Sequence, residues 1–342
     1  MEEKGNEFAT NSDNLLANGP FILTDWESTS HSWNLEKNTN YWDKDAVQLD
    51  KLTFDVLKDT QSAVDLYERG DLDRVDLSAD LVDQYRSSEE FETSGEAALT
   101  FLKFNQTGHP ALQNKNIRKA ISRAVDKQAL VDHVLNNGSI VSNGAVPQDF
   151  VYHPETDEDF RDINGDLVTY NTEEALQYWE QGLSEIGEDS VELEIIGDDS
   201  ETAKTFAEYV SNQLETNLPG LDITIRSVPF EQRLDLTSKM EYDIVVSAWG
   251  ADFLDAYGWL NLWLTDGGNN ETGYSNPEYD ELVISTVTDL AQDPVARFEA
   301  SLEAEKILLE DAVIAPLYQK ARAQLVSSRL QGVIVNPFGA EY

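Results

Sequence analysis

The chain has 342 residues, enough for two domains or one large lobed one, and its 40% hydrophobic share is ordinary for a globular protein. Its 24 basic and 65 acidic residues leave a net charge of −41, which would repel nucleic acid and anionic membrane surfaces alike. The absence of cysteine excludes disulfides, thiol nucleophiles and thiolate metal sites.

The acids are spread along the chain rather than gathered in a tail, so they read as a solvated surface; a salt-adapted or extracellular setting fits as well. No stretch approaches the ~18 consecutive apolar residues of a membrane span. The start, Met1-Glu-Glu-Lys-Gly-Asn6, is not followed by the apolar run of a signal peptide. The protein is then cytoplasmic, or its targeting segment lies outside this sequence.

In chain order, residues 1–18 are polar and read as loop. Gly19-Pro20 punctuates, Phe21 to Trp26 reads as a strand, and Trp33 to Lys37 alternates as its partner. Leu52 to Leu57 is another strand. Thr60 opens a helix through about Arg69, with Gly70 just past its end, and residues 71–78 lead into a second helix. Thr100 to Asn105 is a strand. From Asn116 a helix carries Ile117, Ile121, Ala124 and Val125 on one face and ends before Gly138. Arg118, Lys119, Arg123 and Lys127 fall off that face, and the plainer reading is a solvated basic face that balances local acids.

From 171 onward the pattern alternates cleanly. Asn171-Thr-Glu-Glu174 has the spacing of a capping box and opens a helix bearing Leu176, Trp179 and Leu183. Val191 to Ile196, Leu221 to Val228 and residues 242–249 read as strands. Helices starting near Ser200 and Phe230 separate them. That order predicts two right-handed crossovers in an α/β sheet. Ser275-Asn-Pro277 opens another helix, residues 294–310 form a long one, and Ala315–Tyr318 and Ala323–Val326 look like strand pieces.

The stretch Tyr242 to Asp255 carries the candidate site. It is apolar and β-branched through Ile244, Val245 and Val246, then breaks at Gly250 and presents Asp252 among Trp249, Phe253, Tyr257, Trp259 and Trp263. In α/β sheets ligands sit beyond the carboxyl ends of strands. Backbone near Gly250 is free of side chain to pair with a ligand backbone, and the carboxylate suits a cation. The alternative is a buried strand that enters an ordinary loop with core tryptophans.

Signals for a reaction are missing. The four histidines, His31, His109, His133 and His153, have no metal-ligand spacing, and no carboxylate pair has a supporting constellation. Asp162-Ile-Asn-Gly-Asp166 is superficially like a calcium loop, but its glycine comes at the fourth place, so it reads as a turn. The sequence offers a binding site, and it calls for no cofactor and no metal.

Several segments, in order, resemble one family. Gly19-Pro-Phe-Ile-Leu-Thr-Asp-Trp26, Leu35 to Asp43, Gly70-Asp-Leu-Asp73, Phe104-Asn105, Ile117-Arg-Lys-Ala-Ile-Ser-Arg-Ala-Val-Asp126, Val146-Pro147, Trp249-Gly-Ala-Asp-Phe-Leu-Asp255, Gly273 to Asp280 and Ala315-Pro-Leu-Tyr318 resemble motifs of extracellular solute-binding proteins of the oligopeptide/dipeptide class. These are the ligand receptors of ABC importers. Thr39 and Ala256 stand where the family often has proline. The family's N-terminal segment has no counterpart here, so Met1 reads as the start of a fragment of a longer two-lobed protein.

The resemblance implies a type II periplasmic-binding α/β fold with an incomplete first lobe. Residues 1–100 would be the remainder of that lobe, 101–318 the second lobe, and 319–342 a return to the first. It implies a monomer that captures oligopeptides as an added strand and delivers them to permease subunits, without turnover. Asp252 would hold the peptide α-ammonium. Ala248, Trp249 and Gly250 would supply backbone partners, with Ala251 and Phe253 completing the segment. A lipid anchor outside this chain would hold the protein at the extracellular face of the membrane, or it would lie in a periplasm. Three alternatives stay open. They are another solute such as an oligosaccharide, favoured by the aromatic run Tyr257, Trp259 and Trp263; a signalling-peptide receptor, sensor or adhesin; and an acid-dependent hydrolase.

Overall fold

Alternating apolar residues with turn punctuation build the first sheet, a three-stranded antiparallel meander. Its strands are β1 (Phe21–Thr24), β2 (Ser32–Lys37) and β3 (Lys51–Asp55). Phe21 pairs with Lys37 and Leu35 with Leu52, and Trp33 stacks on Phe54 at 5.8 Å between ring centroids. The computed structural model describes residues 4–78 and 80–336, and it divides into Met1–Ala63, which holds this meander, and Val64–Tyr342.

The larger unit is built on a mixed sheet in the order β4-β10-β5-β9-β7-β8, with β6 (Ile140–Val141) beside β10. The other strands are β4 (Arg74–Leu77), β5 (Phe91–Phe104), β7 (Val191–Asp198), β8 (Leu221–Val228), β9 (Ile244–Gly250) and β10 (Ile314–Val326). β7 runs parallel to both β8 and β9, with the helices Glu201–Asn217 and Phe230–Ser238 as connections. Ser200 starts the first of these, its hydroxyl accepting from the Ala203 amide at 3.2 Å. Its Phe206, Val210 and Leu214 face the sheet.

From Ala97 to Phe104 β5 is buried on both faces, and this half is mostly apolar rather than alternating. Leu102 and Phe104 join a core with Ile117, Ile121, Trp179 and Ile195. Leu99 and Phe101 join a second with Trp259, Trp263, Tyr279 and Leu308. Burying one such side chain contributes about 1.5–3 kcal/mol.

Several strands were incompletely foreseen: β5 begins at Phe91 rather than Thr100, and β6 was not read at all. The residues read as leading directly into a helix form β4 first, and the two C-terminal pieces are one strand, β10. β10 pairs with β5 along its length, with register shifts between Pro316 and Tyr318 and between Gln319 and Ala321. Proline lacks the donor for a regular ladder, and bulges accommodate it.

The basic helix departs most from expectation. It spans Lys115–Arg123, capped by Asn114, whose side-chain oxygen accepts from the amides of Asn116 and Ile117. Asp126 caps a new start by accepting from the Ala129 amide, and a π-turn, Leu130–Leu135, ends at Asn136 with φ of +47°. Arg118, Lys119, Arg123 and Lys127 are buried, not solvated. Arg118 donates to four carbonyls, those of Leu112, Gln113, Asp311 and Ala312, at 2.7–3.1 Å. Lys119 pairs with Glu310, and Arg123 with Glu174 at 3.0 Å. Lys127 donates to the carbonyls of Ser142 and Val168 and to Asn143 Oδ1. Burial lowers Arg118 to about 10 and Lys127 to about 7.

Candidate functional site

β9 is buried at its start and open at its end. Ile244 and Val245 are fully buried, whereas Ala248 and Gly250 are exposed. The two edges of the strand differ in the same way. Toward β5 the ladder continues to the last residue, with Thr100 opposite Ala248 and Ala98 opposite Gly250. Toward β7 it stops after Ile195–Ile244 and Ile196–Val245. From Val246 to Gly250 that edge has no strand partner among the described residues, so its main-chain donors and acceptors are open to an added strand.

Past Gly250 the chain forms a short crest. Ala251 and Ala256 are buried, and the three residues after Ala251, Asp252, Phe253 and Leu254, stand out of the surface. Asp252 makes no hydrogen bond and no ion pair among the described residues, which leaves its carboxylate to solvent. The neck is closed tightly. Trp249 Nε1 donates to the Gly258 carbonyl at 2.9 Å. A Cβ on Gly258 would lie 2.8 Å from that of Ala251, so glycine is required there. A Cβ on Gly250 would make only an ordinary 3.5 Å contact with Ala98, so the open backbone there does not depend on glycine.

Asp255 fastens the far side of the crest. One carboxylate oxygen accepts from the Tyr257 amide at 2.9 Å, and the other from Arg297 Nη2 at 2.7 Å. Ala256 has φ of −53°, close to the value proline imposes, and its amide makes no backbone hydrogen bond among the described residues. The loop therefore keeps a proline-compatible form without the proline.

The segment 248–253 thus comes together as one strand end and crest, but its side chains divide. Asp252 and Phe253 face solvent, Trp249 is half-buried at the neck, and the Ala251 methyl sits in the core. The aromatic run expected to offer sugar-binding walls does not do so. Trp259 and Trp263 are 1% and 2% exposed, and Trp263 meets Phe101 edge-on at 5.5 Å. They fill the core because the helical turns Tyr257–Leu260 and Asn261–Trp263 point them inward. Arg297 was missed, since nothing in the local pattern of its helix links it to a loop 42 residues earlier. Nor could the sequence reveal the open edge of β9, which depends on where the pairing with β7 stops.

Residues 1–271 match the model of the bacterial extracellular solute-binding proteins, family 5. The dipeptide-binding protein DppE of Bacillus subtilis is 30% identical over 329 residues, covering 96% of this chain and 59% of that protein. The solved OppA of Listeria monocytogenes bound to peptide is 37% identical with a TM-score of 0.93, over 100% of this chain and 67% of that one. The pheromone receptor PrgZ is 34% identical with a TM-score of 0.93, over 100% and 66%. The chain belongs to the family 5 extracellular solute-binding proteins and has their type II periplasmic-binding α/β fold. It spans about three fifths of the length of the curated relatives it matches. Among the described residues no helix is long and apolar enough to cross a membrane.

Proposed function

We propose that this chain is part of the substrate-binding component of an ABC peptide importer, and that it captures oligopeptides in extended form. The observation that carries this reading is the open edge of β9 ending at an unpartnered carboxylate. An extended peptide added along Val246–Gly250 gains main-chain hydrogen bonds irrespective of its sequence, and Asp252 meets its α-ammonium. Ala248, Trp249 and Gly250 supply the backbone, with Phe253 at the rim.

The peptide lies between two lobes. In this reading residues 1–100 and 319–342 belong to the first lobe and residues 101–318 to the second. The protein acts as a monomer that hands its ligand to permease subunits at the outer face of the membrane, held there by a lipid anchor on another part of the polypeptide or free in a periplasm. It binds without turnover.

A signalling peptide is the second reading, favoured by the likeness to PrgZ. An oligosaccharide is disfavoured, because Trp259 and Trp263 are enclosed and Asp252 would be wasted on a neutral sugar. Mass spectrometry of whatever co-purifies with the protein tests the proposal. A mixture of short peptides with free amino termini is expected. One defined peptide would mark a signal receptor, and sugars or chelates with no peptide would overturn the reading.

A further inference from the structure

We propose that Arg297 is a positioning residue for the ammonium site: through Asp255 it fixes the crest on which Asp252 stands. This rests on the reading that Asp252 takes the peptide ammonium. The crest has three exposed residues in succession between the buried Ala251 and Ala256, and the Asp252 side chain makes no hydrogen bond or ion pair among the described residues. Its orientation is therefore inherited from the backbone on either side. On the near side that backbone is held by the β5–β9 ladder and by Trp249 reaching to Gly258. On the far side the holder is Asp255, through its cap on the Tyr257 amide and its ion pair with Arg297.

Arg297 is suited to hold something in place. It lies in the first turns of the helix Pro294–Glu310, which is anchored in the core by Phe298, Ala304 and Leu308. Its amide donates to the Asp293 carbonyl, and its own carbonyl accepts from the Ser301 hydroxyl. The guanidinium Nε is buried without a partner, so Asp255 takes the one charge-assisted bond this side chain makes among the described residues. A backbone proline would restrain the crest at position 256, where this chain has alanine. The ion pair supplies the restraint from outside the loop.

A displaced carboxylate costs a directional bond more than it costs main-chain pairing. The expected signature is therefore a loss of amine recognition rather than of peptide binding. The probes are tetra-alanine and N-acetyl-tetra-alanine, titrated calorimetrically against the full chain and its Arg297→Gln, Arg297→Lys and Asp252→Asn variants. Hydrogen exchange of residues 250–258 is followed alongside. In Arg297→Gln, exchange in the crest rises and the preference for the free amine drops about three- to tenfold, while affinity for the acetylated peptide holds. Arg297→Lys restores most of both.

Equal losses for the two peptides, or an unchanged preference and unchanged exchange, would reduce Arg297 to a structural residue and overturn the proposal. Asp252→Asn separates the two levels of failure. If it abolishes the preference and Arg297→Gln does not touch it, the ammonium site stands and the positioning role falls. If it leaves the preference intact, the ammonium lies elsewhere and both fall together.

Discussion

The helix Lys115–Arg123 and the crest 252–254 put charge to opposite uses. On and just after the helix, Arg118, Lys119, Arg123 and Lys127 are all buried and all engaged, Arg118 with four carbonyls at once. On the crest, Asp252 is exposed and engages nothing among the described residues. A charge whose hydrogen bonds are already made inside the protein is structural, however unusual it looks in an acidic chain. A charge left unmade at the open end of a central strand is available to a ligand.

The comparison can be broken first at the helix. Arg118→Met leaves carbonyls of Leu112, Gln113, Asp311 and Ala312 without their donor in a site that is largely buried. Several orphaned acceptors at about 1–3 kcal/mol each, in part re-solvated, predict a loss of about 3–5 kcal/mol in urea unfolding. A loss below about 1 kcal/mol would mean the helix charges are not structural. Asp252→Asn, by contrast, should change stability by no more than about 0.5 kcal/mol, since the carboxylate holds nothing in the free protein.

Lys127 sharpens the same contrast through pH. Burial holds its folded-state value at about 7, below the ordinary lysine value of 10.5, so between those limits the unfolded chain binds more protons than the folded one. Its contribution is complete above the upper value and is lost as pH falls toward the lower. Stability should therefore rise from pH 7 to 9, by no more than about 1.4 kcal/mol per unit, and this rise should be absent in Lys127→Met. Parallel pH profiles for the two proteins would show that the three oxygens around Lys127 keep it charged throughout.

A smaller effect is expected from salt. The exposed acids repel one another over a screening length that shrinks from about 10 Å at 0.1 M to about 3 Å at 1 M. With a net charge of −41, the melting temperature should rise by about 5 °C or more between 0.1 and 2 M KCl. A flat or falling melting temperature would contradict a surface dominated by unpartnered acids.

Local pattern carried the reading where the structure is locally determined. β8 (Leu221–Val228) alternates along an edge strand, and the helix Pro294–Glu310 begins at a proline after the capping Asp293, so both were legible to the residue. β4 was missed because four residues between two helical patterns carry too little signal. β10 was split because Gln319, Lys320 and Arg322 interrupt its apolar run, and β5 seemed to begin at Thr100 because Glu92, Thr93 and Glu96 mask its earlier half. The bases of the helix were misread for a different reason. Arg118 bonds carbonyls as much as 194 residues away, and no local period encodes such partners. At the site, the strand end and Asp252 were visible as residue types. The pin at Arg297 and the open edge of β9 arise only from tertiary pairing.

The most direct test of the central claim is a double comparison at Asp252, with a free-amine peptide and its N-acetylated form titrated against the protein and its Asp252→Asn variant. The amide keeps the side chain's shape and removes its charge. Loss of a charge-assisted hydrogen bond worth about 1.5–3 kcal/mol predicts a ten- to hundredfold (~) weaker affinity for the free-amine peptide. The acetylated peptide should bind the parent poorly and lose little more in the variant. Equal losses for both peptides would make Asp252 a structural acid of the loop and place the ammonium elsewhere.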